Sequence, residues 1–169
     1  MDESTEFQRK PIDNADEQLL RPIIQPWVVD GIVTYTAFYL STADKKDMNR
    51  LSVSRGSAVT AQRAYEIRAQ HLQDRCAANG KTYVPPVGVL AVSAGDVDSV
   101  ELTEQHGGTR PLSAWDDSMN DHVPDDHGHI DYSEVAADKG QHVFVAKELT
   151  TRARTAGWKH PAPDSPPGP

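Results

Sequence analysis

One cysteine, Cys76, is all that the 169 residues offer in thiol chemistry. A lone thiol excludes an intramolecular disulfide and any cysteine-based zinc cluster, and it points to a reducing, cytoplasmic setting. Long apolar runs are missing as well. The longest, residues 87–92, falls far short of the roughly 20 that span a bilayer, and the acidic start lacks a basic-then-apolar leader. No membrane association is expected. Positive charge is in deficit, with Lys and Arg numbering 17 against 25 Asp and Glu for a formal charge of −8, so the chain as a whole is unsuited to nucleic acid. No glycine-rich phosphate loop is present, and Ser93-Ala94-Gly95 has neither a dinucleotide fingerprint nor a nucleophile elbow.

What is there is unevenly distributed. The first twenty residues hold six acids against two bases and little apolar surface before Leu19, so residues 1–19 read as a flexible acidic arm. Residues 159–169 carry five prolines and read as a proline-rich tail. Between them, residues 20–158 are the size of one domain.

Within that body, residues 23–29 and 32–39 are β-branched and aromatic and flank Asp30-Gly31, which predicts a hairpin; Pro22 and Pro26 weaken its first arm. Residues 42–50 read as a polar loop and 51–54 as a short strand ending at Arg55-Gly56. A helix is predicted from Thr60 to Asn79, N-capped by Thr60, with Ala61, Ala64, Tyr65, Ala69, Leu72 and Cys76 as its core face. Residues 83–93 read as a central strand buried on both faces. Residues 94–131 read as mostly loop around a possible strand at 100–102. A last helix over 138–156 places Val143, Ala146, Leu149 and Ala153 on one face, with Gly157 as its stop. The class is therefore α+β, a single small domain with a short mixed or antiparallel sheet and two main helices.

The chemically richest stretch is residues 114–131, which combines Asp116, Asp117, Asp121, Asp125, Asp126 and Asp131 with His122, His127 and His129 and has no lysine or arginine. Its end, His127-Gly128-His129-Ile130-Asp131, follows the start of an HxHxD(H) metal motif, which makes His127, His129 and Asp131 candidate ligands for a divalent metal. Tyr132 stands where the motif has its next histidine, and too little chain follows to supply the remaining ligands of a metallo-β-lactamase-like enzyme. The bland alternative is a solvated acidic loop with a mobile turn at Gly128. A looser pattern, Arg21, then Thr34-Tyr35-Thr36, then Glu101 or Glu148, has the order found in ADP-ribosyl-transferring toxins. Cys76, on the proposed core face, reads as packing.

Trp27-Val28-Val29-Asp30-Gly31, Ala37-Phe38, Leu51-Ser52-Val53, residues 88–92 and Ala156-Gly157-Trp158 together resemble a family of small uncharacterised bacterial proteins. Their order is W-V-x-D-G, A-F, L-S-V, G-V-x-A-V, H-A-x-I-D, G-W. The resemblance spans about residues 21–158 and implies no activity or cofactor. It makes His127 the histidine of interest and His129 a local variation, which counts against a two-histidine metal pair.

Two functional expectations follow. The first is a small cytoplasmic protein without a cofactor that acts through a protein partner, as inhibitor or accessory subunit of a toxin or defence component. It rests on the lack of a complete catalytic constellation and on the steering power of the acidic charge. The second is a hydrolase or transferase built around His127 and Asp131, metal-assisted or not, with Arg21 or Tyr132 in support. An imidazole beside a carboxylate is a minimal acid/base unit. That reading demands a concavity shared by His127 and residues of the 21–38 region.

Overall fold

Within the described residues 6–161 of this computed structural model, the strands run β1 (Lys10–Pro11), β2 (Gln18–Ile23), β3 (Val28–Val29), β4 (Ile32–Val33), β5 (Arg50–Arg55), β6 (Gly88–Ser93), β7 (Ser113–Asp116) and β8 (His127–Asp131). The helices are α1 (Thr42–Lys46), α2 (Ala61–Ala78), α3 (Ala94–Ser99) and α4 (Lys139–Ala156). Six strands form one antiparallel sheet in the order β1-β7-β8-β5-β2-β6, and β3 and β4 form a separate ribbon. The domain is mixed α+β. Among the described residues no helix is long and apolar enough to cross a membrane.

Strand alternation sorts the two faces of the sheet. Leu19, Ile23, Leu51, Val53, Leu90, Val92 and Ile130 enter the main core with Val145, Leu149 and Ala153 of α4. The other face is apolar only at the β2–β6 side, where Leu20, Val89 and Ala91 meet Ala64 of α2. Across β5, β8 and β7 that face is polar, and Ser52, Ser54, His127 and His129 gather there.

Proline shapes the boundary between the two halves. Along β2 the even-numbered residues turn their main-chain groups toward β5, as Gln18 O accepting from Gly56 N shows; odd-numbered ones turn toward β6, as Ile23 O accepting from Val87 N shows. Pro22 therefore has its missing donor on the β5 side, and the β2–β5 ladder ends one pair earlier, at Leu20 and Ser54. Continued, the register would set Pro22 against Ser52. Instead Arg21 Nη1 donates to the Ser52 carbonyl at 2.8 Å and Arg21 Nε to the Ala37 carbonyl at 2.9 Å. A side chain stands in for the ladder bond, and the strands part.

Several expectations are corrected. From Glu6 on, the acidic arm is structured: β1 pairs with β7, and Gln18, Leu19 and Leu20 belong to the sheet. Residues 1–5 of that arm, and 162–169 of the tail, lie outside the described residues. The Asp30-Gly31 turn has positive φ at both positions, 51° and 75°, as a two-residue hairpin requires, but the ribbon is only two residues long on each side. Residues 20–23 pair in the main sheet instead. The strand expected at 83–93 begins at Gly88, and it lies at the end of the sheet's strand order. It is buried because α2 and α4 flank it and the C-terminal segment closes it, with Val89 bonded in both directions to Lys159 and His160. Those two residues of the expected tail are therefore part of the domain.

Residues 42–50 include α1, held by a capping box between Ser41 and Asp44. Residues 94–131 contain α3, β7 and β8, whereas 100–102 is buried without forming a strand. The acidic loop is thus a strand pair at its ends, and Gly128 sits within β8 rather than in a turn. On α2, Thr60 is the N-cap, but Ala64 is the only fully buried residue of the helix and Cys76 is half-exposed. Its alanines are too small to fill a core. Helix α4 buries Ala146, Leu149 and Ala153 as the periodicity predicts, with His142, Val145 and Thr150 in place of Val143.

Candidate functional site

Pairing of β5 with β8 sets Ser54 opposite His127 and Ser52 opposite His129. Paired residues project to the same face, so an alternating Ser-x-Ser meets an alternating His-x-His. The two histidines stand about 7 Å apart along the strand. Asp117, just past the end of β7, bridges them: one carboxylate oxygen lies 2.6 Å from His127 Nδ1, the other 2.7 Å from His129 Nδ1.

Asp117 is 2% exposed. Burial alone would raise its pKa, but the hydrogen bonds and charges of His127 and His129 outweigh that and hold it well below the usual carboxylate range. An ionised carboxylate can only accept, so both Nδ1 atoms carry the proton and, in the neutral rings, both Nε2 atoms are acceptors. The Nε2 of the wholly buried His129 takes a bond from Arg9 Nη1 at 3.2 Å. That of His127 faces Ser52 Oγ at 3.2 Å. The result is an unbroken chain, Asp117 to His127 to Ser52, with Ser52 exposed.

The support of this chain is built from three directions. Arg55 donates through Nη2 to the Asp125 carbonyl at 2.6 Å and the Ser118 hydroxyl at 3.2 Å, and through Nε to the His127 carbonyl at 3.3 Å; it also pairs with Asp116. It thereby clamps both ends of the loop that carries Asp117 to His127. Gly128 lets β8 lie close to β7, since a Cβ there would meet the Trp115 carbonyl oxygen at 2.9 Å. The N-terminal segment closes the buried side: Arg9 pairs with Asp131 at 2.8 Å and lies over the Trp115 ring, while Asn120 exchanges hydrogen bonds with the Gln8 backbone.

On its open side His127 lines a cleft of about 840 Å³ between the diverging strands and α2. Arg21, Trp27 and Thr36 share it, so the concavity that the second expectation demanded exists. Residues 64, 67, 68, 71 and 75 of α2, on one helical face, form the opposite wall. That face changes from Ala64 and Ile67 to Arg68, His71 and Arg75 as it passes over the cleft.

The expected site residues fall differently. Arg21 is in the cleft, its guanidinium still charged at neutral pH although burial lowers its pKa to about 10. Asp131 is not the carboxylate of His127: four residues along one strand put it about 13 Å away, where it binds Arg9 and Ser133 N. The three proposed metal ligands therefore do not converge, and among the described residues no group of three or more His, Cys, Asp or Glu side chains could hold a metal ion. Tyr132 is buried on the other side of the sheet, its hydroxyl donating to the Phe38 carbonyl at 2.5 Å, and desolvation by burial drives its pKa far above that of a free phenol. Glu101 pairs with Arg110 at the surface and Glu148 lies on α4, so neither joins Arg21 in the cleft.

Sequence reasoning missed Ser52 and the role of Asp117. Ser52 was visible only as the polar member of Leu-Ser-Val, and Asp117 as one acid among many. In comparisons with known proteins the chain matches no family model, no curated protein and no solved structure.

Proposed function

We propose that the protein is a serine-type hydrolase of carboxylic esters. The Asp117–His127–Ser52 chain opening into the cleft carries this reading. Asp117 fixes the tautomer that leaves His127 Nε2 free to accept, and it offsets the charge of the imidazolium formed during reaction. Ser52 Oγ attacks the ester carbonyl carbon while its proton passes to His127 Nε2. That proton then goes to the leaving alcohol as the C–O bond breaks. Water, deprotonated by the same nitrogen, releases the acid from Ser52 and restores the serine proton. Arg21 uses two of its five N–H donors on carbonyls and brings a fixed positive charge to the same cleft, where it offsets negative charge developing on the carbonyl oxygen.

The inhibitor reading rested on the want of a catalytic constellation and on the steering power of the acidic charge; the chain of groups bears on the first of these alone and leaves the second in place. The test is labelling with a fluorophosphonate together with hydrolysis of p-nitrophenyl acetate. One adduct at Ser52 is expected, absent in Ser52→Ala and slowed at least about 100-fold in His127→Ala. A Ser52 no more reactive than other surface serines overturns the proposal.

A further inference from the structure

The arginines of the cleft are set apart by being gathered together without a carboxylate partner. Of the seven outside it, Arg9 pairs with Asp131, Arg55 with Asp116, Arg63 with Glu66 and Arg110 with Glu101, while Arg50, Arg152 and Arg154 make no ion pair with a described residue. The side chains of Arg68 and Arg75 make no ion pair or hydrogen bond with any described residue, and Arg21 meets only carbonyl oxygens and the Trp27 ring. Yet all three line one cleft, with His71 between Arg68 and Arg75 on the same face of α2. In a chain with a formal charge of −8 this is a local reversal of sign.

We propose that the ligand of this cleft is a small phosphorylated molecule whose phosphate is held by Arg68 and Arg75, with Arg21 completing the cationic wall. As a statement about the substrate it rests on the hydrolase reading, with the phosphate as recognition handle and the ester placed at Ser52. Guanidinium forks match phosphate oxygens in pairs, and several cations gathered without counter-ions repel one another until an anion enters. The mutual effect is felt here: burial and the neighbouring Arg75 charge both lower the pKa of Arg68, and Arg68 in turn lowers that of Arg21. Two acids also line the cleft. Asp44 is turned to cap α1 through Ser41 N and Oγ, and it favours the charged form of Arg21; Asp126 sits on the His127 side. Ile24, Trp27 and Ile67 give the organic part of such a ligand an apolar wall.

The experiment is calorimetric titration of the full chain with inorganic phosphate, and with acetate at equal ionic strength. Phosphate should bind the wild type and Ser52→Ala alike, and about tenfold or more weakly to Arg68→Gln/Arg75→Gln. Arg63→Gln/Arg110→Gln, which removes the same charge outside the cleft, should bind as the wild type does. All four proteins should share one thermal midpoint within a few degrees, since Ser52, Arg63, Arg75 and Arg110 are exposed and the half-buried Arg68 side chain holds no hydrogen bond or ion pair with a described residue. No phosphate binding, equal loss in the two double variants, or acetate binding as tightly as phosphate would each overturn the proposal. Arginine-dependent phosphate binding without Ser52-dependent ester hydrolysis would sink the hydrolase reading alone. Ser52-dependent hydrolysis without phosphate binding would sink this one alone.

Discussion

Asp117 Oδ1 lies 2.6 Å from His127 Nδ1, and its second oxygen is as close to another histidine, so one buried carboxylate sets the tautomer of two imidazoles at once. The first consequence concerns Asp117→Asn. An amide that accepts with one atom must donate with the other, so at least one histidine loses its partner for Nδ1–H and turns to the other tautomer. Ester hydrolysis should fall about 1,000-fold or more. Stability should fall by about 2 kcal/mol, read by urea unfolding, because a buried charged network loses a member. Nitrogen chemical shifts of His127 and His129 report the tautomers directly, and unchanged shifts would refute the assignment.

Ser52→Ala should separate catalysis from folding. The hydroxyl is exposed and its removal leaves no buried group unpaired, so the unfolding midpoint should move by less than about 0.5 kcal/mol in free energy. Hydrolysis and fluorophosphonate labelling should both vanish. A fully active Ser52→Ala would leave His127 acting on water and remove the serine from the mechanism.

Gly128→Ala should be costly although the change is one methyl. The added carbon meets the Trp115 carbonyl oxygen at 2.9 Å and the Arg55 side chain at 3.3 Å, so β7 and β8 must separate. We expect about 1–3 kcal/mol of destabilisation and a matching loss of activity, since the same strands hold Asp117 and His127. Thermal melts and the p-nitrophenyl acetate assay measure both.

His142 makes stability depend on pH. Its Nε2 accepts from Leu40 N at 3.0 Å, its ring stacks on Tyr39, and burial with the nearby Lys45 charge lowers its pKa from 6.5 to about 4. Between those values the unfolded chain binds a proton that the folded one refuses. The contribution is therefore whole above about pH 6.5 and is lost as pH falls to about 4, by up to about 3 kcal/mol. Urea titrations at pH 7 and pH 4.5 should show the drop, and His142→Gln, which keeps an acceptor for Leu40, should flatten it. An equal drop in the variant would place the titration elsewhere.

The elements that could be read in advance share one property: their signal lies within a few neighbouring residues. Thr60 caps α2, Asp30-Gly31 turns a hairpin, and the spacing of Ala146, Leu149 and Ala153 shows which side of α4 is buried. Expectations failed where a segment's place depended on distant chain. The N-terminal segment looked too polar to order, yet Arg9 and Gln8 find partners more than a hundred residues away. The strand from Gly88 looked central because it is apolar on both sides, but α4 covers one face, α2 the other, and a C-terminal segment closes its edge.

The sequence by itself marked residues 114–131 as the chemically richest stretch, because imidazoles and carboxylates gathered in one segment can exchange protons or meet cations wherever that segment lies. It also determined the α+β class, through the contrast between helical and strand periodicity. Only the tertiary structure decided which carboxylate and which hydroxyl the imidazole of His127 meets. Asp131 is nearer in the chain than Ser52, but strand geometry fixes their separation at about 13 Å, and no local rule relates Asp117 and Ser52 to His127. Antiparallel pairing of β5 with β8, and the clamp of Arg55 on the loop between β7 and β8, bring the three together. Geometry of this kind is a matter of register between distant segments, and register is set by the packing of the whole sheet.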